Sequence, residues 1–118
     1  MKFITIADLK AKNACSEGIR LYKENGYETL DWDSIDELDI DVKYNDYIHW
    51  LCWNFNISLK FNGNEYIFDK VNNLIYFENS YGFRSIWQFN KNDNEIYYKD
   101  SNGLIIDNRE EAKNNVKK

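Results

Sequence analysis

Hydrophobic residues in the first half of the chain recur with the spacing of an α-helix. The strongest such pattern covers residues 44–55, where apolar side chains three and four positions apart form one stripe. Its members are Tyr44, Tyr47, Ile48, Leu51, Cys52 and Phe55. The pattern predicts a helix that buries this stripe at the centre of the fold.

Two shorter helices are predicted before it from the signals at their ends. Thr5 is a suitable N-terminal cap for a helix that Asn13 would close, and Ser16 is a suitable cap for a second helix. Asn25 followed by Gly26 is a strong stop signal, because both residues tolerate the left-handed conformation that ends many helices. We therefore expect residues 1–56 to form a helical half.

From residue 57 the hydrophobic period changes to two, which is the spacing of a β-strand. Ile57, Leu59 and Phe61 alternate with polar residues, and Asn62 and Gly63 then supply the favoured two-residue hairpin turn. Further strands are predicted at residues 74–78, 83–90 and 95–99, and a short strand at 104–106 is left open.

An internal repeat supports an antiparallel arrangement of these strands. Residues 73–82 align with residues 94–103 at an offset of 21, with five of ten positions identical. The turns between strands are short and rich in Asn, Asp, Ser and Gly, so successive strands should be neighbours. The sequence therefore predicts one α+β domain at 1–107, with an antiparallel β-meander of about five strands at 57–107 packed against the helices. A polar tail follows at 108–118.

Negative charge is concentrated in the helical half. The 118 residues carry a net charge of -5, and residues 1–56 hold eleven acidic against six basic side chains, whereas residues 57–118 hold nine of each. Residues 28–41, which we call the acidic segment, contain seven carboxylates and no Lys or Arg: Glu28, Asp31, Asp33, Asp36, Glu37, Asp39 and Asp41. Within it, Ser34 and Glu37 match a capping box, which predicts a short helix at 34–39.

The sign of this charge indicates the class of partner. Affinity for DNA or RNA comes largely from Lys and Arg that displace counterions from phosphates, so direct binding of nucleic acid is not expected. The same field attracts a basic surface on another protein. We therefore expect a basic protein partner.

Few residues offer catalytic or metal-binding chemistry. His49 and Cys52 lie three positions apart on the predicted central helix and could share one face as a base and a nucleophile, or as two metal ligands. Zinc would need further ligands, but the chain has no second histidine and Cys15 is unrelated by spacing. We therefore predict no catalytic residue, no metal and no cofactor, with both cysteines as reduced thiols.

Two stretches resemble a helical module found in many short phage and prophage proteins. Residues 14–19 match its Ala-Cys-x-Glu-Gly start, and residues 46–51 match its later Asp-Trp-x-x-Trp-Leu helix, with Tyr47 at the first Trp position. The strand-turn repeats are similar to the Tyr/Asn/Ser/Gly repeats that often follow this module, and distantly to the YD repeats of Rhs proteins. The resemblance brings no catalytic residues. It implies a phage-type origin, and small acidic phage proteins include inhibitors of bacterial defence such as anti-CRISPR proteins.

These observations predict a non-catalytic inhibitor of a bacterial defence nuclease. The carboxylates of the acidic segment would stand in for phosphates in a basic nucleic-acid channel, and exposed rings such as Tyr81 and Trp87 would anchor the complex. Two alternatives stay open: an immunity-type protein that neutralises a basic toxin, and an oligomeric adaptor that pairs through free sheet edges. No apolar run approaches the roughly 18 residues of a membrane helix, and Asp8 follows the start too closely for a signal peptide, so we expect a protein of the bacterial cytoplasm.

Overall fold

The computed structural model describes residues 1–109, in which three α-helices precede six β-strands. The helices are α1 (Ile6–Ala11), α2 (Ser16–Glu24) and α3 (Asn45–Phe55). The strands are β1 (Leu59–Phe61), β2 (Asn64–Phe68), β3 (Leu74–Glu78), β4 (Arg84–Phe89), β5 (Glu95–Asp100) and β6 (Ile105–Asp107). The predicted α+β class is confirmed, with six strands in place of about five. Within residues 1–109, none of the helices combines the length and apolar character needed to cross a membrane.

The helix caps agree with the sequence prediction at α1 and differ by one residue at α2. The Thr5 hydroxyl accepts a bond from the Asp8 N–H at 3.1 Å, and the Asp8 carboxylate accepts one from the Thr5 N–H at 2.9 Å, a reciprocal capping box. At α2 the cap is Cys15, whose Sγ accepts a bond from the Gly18 N–H at 3.4 Å. Ser16 is the first helical residue, because the extended backbone that a cap requires occurs at Cys15.

The strands form one antiparallel sheet in chain order, β1-β2-β3-β4-β5-β6. The predicted β1–β2 hairpin is confirmed: Asn62 and Gly63 both have positive φ angles, of 47° and 80°, and Phe61 pairs with Asn64 across the turn. The predicted tail begins with Asn108, whose N–H donates to Ile96 O at 2.8 Å. Residues 110–118 of that tail lie outside the described residues.

The four later hairpin turns share one geometry. Each begins with an Asp or Asn whose side-chain oxygen accepts bonds of 2.9–3.2 Å from the N–H groups two and four residues later; these residues are Asp69, Asn79, Asn90 and Asp100. The fourth residue of each turn has a positive φ angle; these residues are Asn72, Gly82, Asp93 and Gly103. The structural repeat is therefore one strand and one turn, half of the 21-residue offset visible in the sequence.

Asn79→Ala is expected to lower the free energy of unfolding by about 1–2 kcal/mol, because the N–H groups of Tyr81 and Phe83 lose their acceptor. Asn92→Ala in the next turn is the matched control, since the Asn92 side chain is exposed and has no hydrogen-bond partner within residues 1–109. Urea unfolding of the two variants checks the prediction. Equal losses would show that the side-chain bonds contribute nothing to the turn.

The hydrophobic core lies between the helices and the first strands. Trp32, Cys52, Ile57 and Phe61 are among its fully buried side chains. From β4 to β6, only Ser85 among the described residues is buried, so this part of the sheet extends beyond the helices and gives the molecule a length of 53 Å. The acidic segment lies at the opposite side of the sheet, next to β1.

Candidate functional site

A buried tryptophan fixes the acidic segment to the core. Trp32 begins a single 3-10 turn at Trp32–Ser34 and is 1% exposed. Its indole N–H donates to the Tyr22 hydroxyl at 3.0 Å, and that hydroxyl donates to Ile4 O at 2.8 Å. The ring of Tyr27 packs edge-on against Trp32 at 5.4 Å between centroids. The backbone on either side of Trp32 is therefore anchored to the core.

The start of the chain also holds the acidic segment. The Lys2 N–H donates to Asp31 Oδ1 at 2.7 Å, which lowers the pKa of Asp31, and the Trp32 N–H donates to Lys2 O at 2.9 Å. The Lys2 ammonium donates to Phe55 O at 2.6 Å and to Asn56 O at 3.0 Å, at the C-terminal end of α3. The Lys2 ammonium group thus binds carbonyl groups at the end of α3 and forms no ion pair with the acidic segment.

The second half of the acidic segment is extended, so the helix predicted at 34–39 is wrong. The Lys60 N–H donates to Asp36 O at 3.1 Å, and the Leu38 N–H donates to Lys60 O at 2.8 Å. This parallel bridge satisfies backbone groups on the outer edge of β1 and lets Leu38 enter the core. Those tertiary interactions outweigh the local capping box of Ser34 and Glu37.

The seven carboxylates divide into two groups. Four accept a hydrogen bond or an ion pair from the backbone or the amino terminus of the chain; these are Glu28, Asp31, Asp33 and Asp41. The other three are exposed and their side chains have no hydrogen-bond or ion-pair partner within residues 1–109; we call Asp36, Glu37 and Asp39 the free carboxylates. No Lys or Arg side chain among residues 1–109 forms an ion pair with any of the seven.

A shallow groove of about 340 Å³ brings part of this charge together. Asp36 and Glu37 line it together with Lys60 and Glu65, whereas Asp33 lines a different groove. Sequence reasoning missed Glu65. The predicted hairpin places Glu65 opposite Lys60, but only the pairing of the acidic segment with β1 brings Glu65 close to Asp36 and Glu37.

The two aromatic residues predicted to anchor a partner lie elsewhere. Tyr81 is 94% exposed in the turn between β3 and β4. Trp87 is half-buried on β4, with its ring centroid 5.3 Å from that of Tyr98. Because β4 is three strands from β1, Trp87 lies about 15 Å from the edge that carries the acidic segment. A docking surface that included these residues would have to cross the sheet.

Cys52 is fully buried in the core, and His49 is half-buried beside it. A ring nitrogen of His49, Nδ1, is hydrogen-bonded to the Tyr66 hydroxyl at 2.7 Å, and the Phe61 ring packs edge-on at 4.9 Å. Burial raises the pKa of the Cys52 thiol to about 12, so at neutral pH it is a protonated thiol in an apolar site. Within residues 1–109, no group of three or more His, Cys, Asp or Glu side chains is placed to hold a metal ion.

The burial of His49 predicts a loss of stability in mild acid. Burial lowers the pKa of His49, and Asp46 partly opposes this effect. As the pH falls, His49 in the unfolded chain therefore takes up a proton near pH 6.5, before His49 in the folded protein does. The folded state is thus favoured fully above that pH, and this contribution to its stability is lost as the pH falls through the pKa of His49 in the folded protein. In urea unfolding between about pH 8 and pH 5, the wild type should lose stability more steeply than His49→Gln. If the free energies of unfolding of the two proteins changed equally with pH, this would contradict the role of His49 in the loss of stability.

No protein-family model matches the chain, and no curated protein or solved structure shows a significant similarity to it. Function is therefore inferred from the geometry and charge of the acidic segment.

Proposed function

We propose that the chain acts without catalysis as an inhibitor of a basic, nucleic-acid-handling protein such as a bacterial defence nuclease. The acidic segment docks in the nucleic-acid channel of that partner. The observation that carries this proposal is that the free carboxylates are exposed and that no cation within residues 1–109 forms an ion pair with them, although Lys60 lines the same groove. Arg and Lys side chains of a channel that normally binds phosphates would supply the missing charge-assisted hydrogen bonds.

The rigidity of the acidic segment supports the same proposal. Trp32 anchors its first half, and the backbone bonds to Lys60 hold its second half along β1. A surface that is ordered before binding loses little conformational entropy when the partner docks. The net charge of -5 adds a long-range attraction that accelerates encounter with a basic surface.

The biological setting belongs to the same proposal. A phage-type origin, with action in the cytoplasm of a bacterial host, is supported by the resemblance of residues 14–19 and 46–51 to the phage module.

Cleavage assays with purified RNA-guided bacterial nucleases and basic toxin nucleases test the proposed function. We expect the chain to inhibit an RNA-guided nuclease when added before the nucleic acid, and to inhibit it poorly when the channel is already filled with guide and target. Inhibition of toxin nucleases alone would assign the immunity-type role instead. Inhibition that is insensitive to the order of addition would contradict docking in the channel.

One observation favours an adaptor role as the second candidate. The outer edge of β1 is covered by residues 36–38, but no strand within residues 1–109 pairs with the outer edge of β6. Leu104, Ile105 and Ile106 are exposed at that edge. A strand from another chain could add there by backbone pairing.

Size-exclusion chromatography at low and high salt distinguishes the two roles. Edge pairing at β6 predicts an oligomer that persists at high salt and is lost in Ile105→Lys, because the bonds between strands are weakly screened and a charge on the edge opposes pairing. A monomer at both salt concentrations would contradict self-association through this edge.

A further inference from the structure

The three helices enclose a cleft that takes no part in the proposed inhibition. It has a volume of about 270 Å³ and lies between α1, α2 and α3. Its lining includes apolar side chains from all three helices: Leu9, Leu21, Ile48, Trp50 and Leu51. Ala14 and Gly18, which have little or no side chain, also line it.

Two helices pack closely at Gly18, on the lining of the cleft. A Cβ atom at Gly18 would lie 3.3 Å from Tyr47 Cδ1 and 3.5 Å from Cys15 Sγ, so α2 and α3 approach closely at this point. Cys15 Sγ is held in place as the cap of α2 by its bond from the Gly18 N–H. The exposed Cys15 thiol lies on the lining of the cleft, so its reactivity can report whether a ligand is bound there.

The lining of the cleft contains one charged side chain. Asp46, in the first turn of α3, is exposed, and no cation within residues 1–109 forms an ion pair with it. A ligand that fits this arrangement has an apolar body for the lining and a positive charge for Asp46. An anion of the same shape would be repelled, and a neutral molecule would gain only the apolar contacts.

We propose that this cleft binds a small organic amine, with an aromatic ring or short hydrocarbon body inside the cleft and the ammonium group against Asp46. The volume accommodates a single ring with a short side chain. For a ligand of this size the dissociation constant is expected to be on the order of 1 mM. The cleft shares Tyr22 and Tyr27 with the packing around Trp32, but no carboxylate of the acidic segment lines it, so its failure as an amine site would leave the proposed inhibition untouched.

Protection of Cys15 from a thiol reagent tests the proposal, with phenethylamine as the probe and 2-phenylethanol as its neutral counterpart. Cys52 is fully buried, so the fast reaction with Ellman's reagent reports Cys15. We expect phenethylamine to slow this reaction saturably. Protection should require about fivefold more ligand when 2-phenylethanol replaces the amine, because one solvent-accessible charge pair is lost. The substitution Asp46→Asn should weaken protection by phenethylamine to the same extent.

A second pair of variants tests occupancy of the cleft by a readout that does not use the thiol. Ala14→Phe fills the cleft and should abolish the phenethylamine-induced NMR shift of the Trp50 indole N–H, whereas Ala11→Phe adds the same ring outside it and should preserve the shift. Circular dichroism verifies that both variants fold. Equal binding of the amine and the alcohol, unchanged binding to Ala14→Phe, or no saturation by about 20 mM amine would overturn the proposal.

Discussion

The double variant Glu37→Gln, Asp39→Asn is expected to inhibit the target nuclease about 10- to 100-fold less strongly than the wild type, with unchanged stability. Each substitution removes a negative charge that has no partner within residues 1–109 and that would accept charge-assisted bonds in the complex. Asp31 is left intact, because its bond from the Lys2 N–H serves the fold. Inhibition constants from the cleavage assay measure the effect.

The matched control for this variant is Glu24→Gln, Glu95→Gln, which changes the net charge by the same amount. Both glutamates are exposed, one at the end of α2 and one at the start of β5. Long-range attraction depends on total charge, so the control should lose only a small part of the association rate. Equal loss of inhibition in the two double variants would mean that net charge, and not the acidic segment, determines binding.

Trp32→Ala is expected to lower the free energy of unfolding by about 3–5 kcal/mol, the largest effect of any single substitution proposed for this protein. It removes a side chain that is 1% exposed, the ring contact with Tyr27 and the hydrogen bond to the Tyr22 hydroxyl. A loss of this size is a large part of the stability of a domain of this length. Urea unfolding followed by circular dichroism measures it.

Trp53→Ala provides the same chemical change at a site that is 64% exposed. It is expected to cost less than about 1 kcal/mol, since little buried surface is lost. Similar losses in the two variants would contradict the assignment of Trp32 as the anchor of the acidic segment. Trp32→Phe should lie between wild type and Trp32→Ala, because it keeps most of the ring contact but not the indole N–H.

The fold was predictable where the hydrophobic residues follow one clear period along the chain. The apolar stripe of residues 44–55 identified α3, and the change to a period of two at residue 57 identified the sheet. The Asn62 and Gly63 turn fixed the first hairpin because few other residues adopt its positive φ angles. These signals depend on near neighbours in the chain, which is why the sequence alone was sufficient.

The acidic segment shows where local signals fail. Its capping box favours a helix, but the observed extended conformation depends on Lys60, more than 20 residues away in the chain. No local pattern indicates that the segment will cover the edge of β1. For the same reason, the seven carboxylates could be identified from the sequence, but the three free carboxylates could not be told from the four that accept bonds from the backbone or the amino terminus.

The 21-residue repeat is confirmed as a unit of two strands with their turns, and the structure shows a finer repeat within it. Sequence identity revealed an offset of 21, whereas the structure repeats a turn at Asp69, Asn79, Asn90 and Asp100. Asp and Asn are interchangeable as acceptors at the first position, and Asn, Asp and Gly all occupy the left-handed fourth position. Identity scoring hides this equivalence, but a search for acceptor residues at strand ends would find it.

Hydrogen–deuterium exchange of the chain, alone and bound to the nuclease that it inhibits, tests most directly whether the acidic segment is the docking surface. We predict that complex formation slows exchange at residues 33–41 and leaves β6 unchanged. Slower exchange at Ile105–Asp107, with the acidic segment exchanging as in the free protein, would contradict the proposal and place the partner on the opposite edge of the sheet.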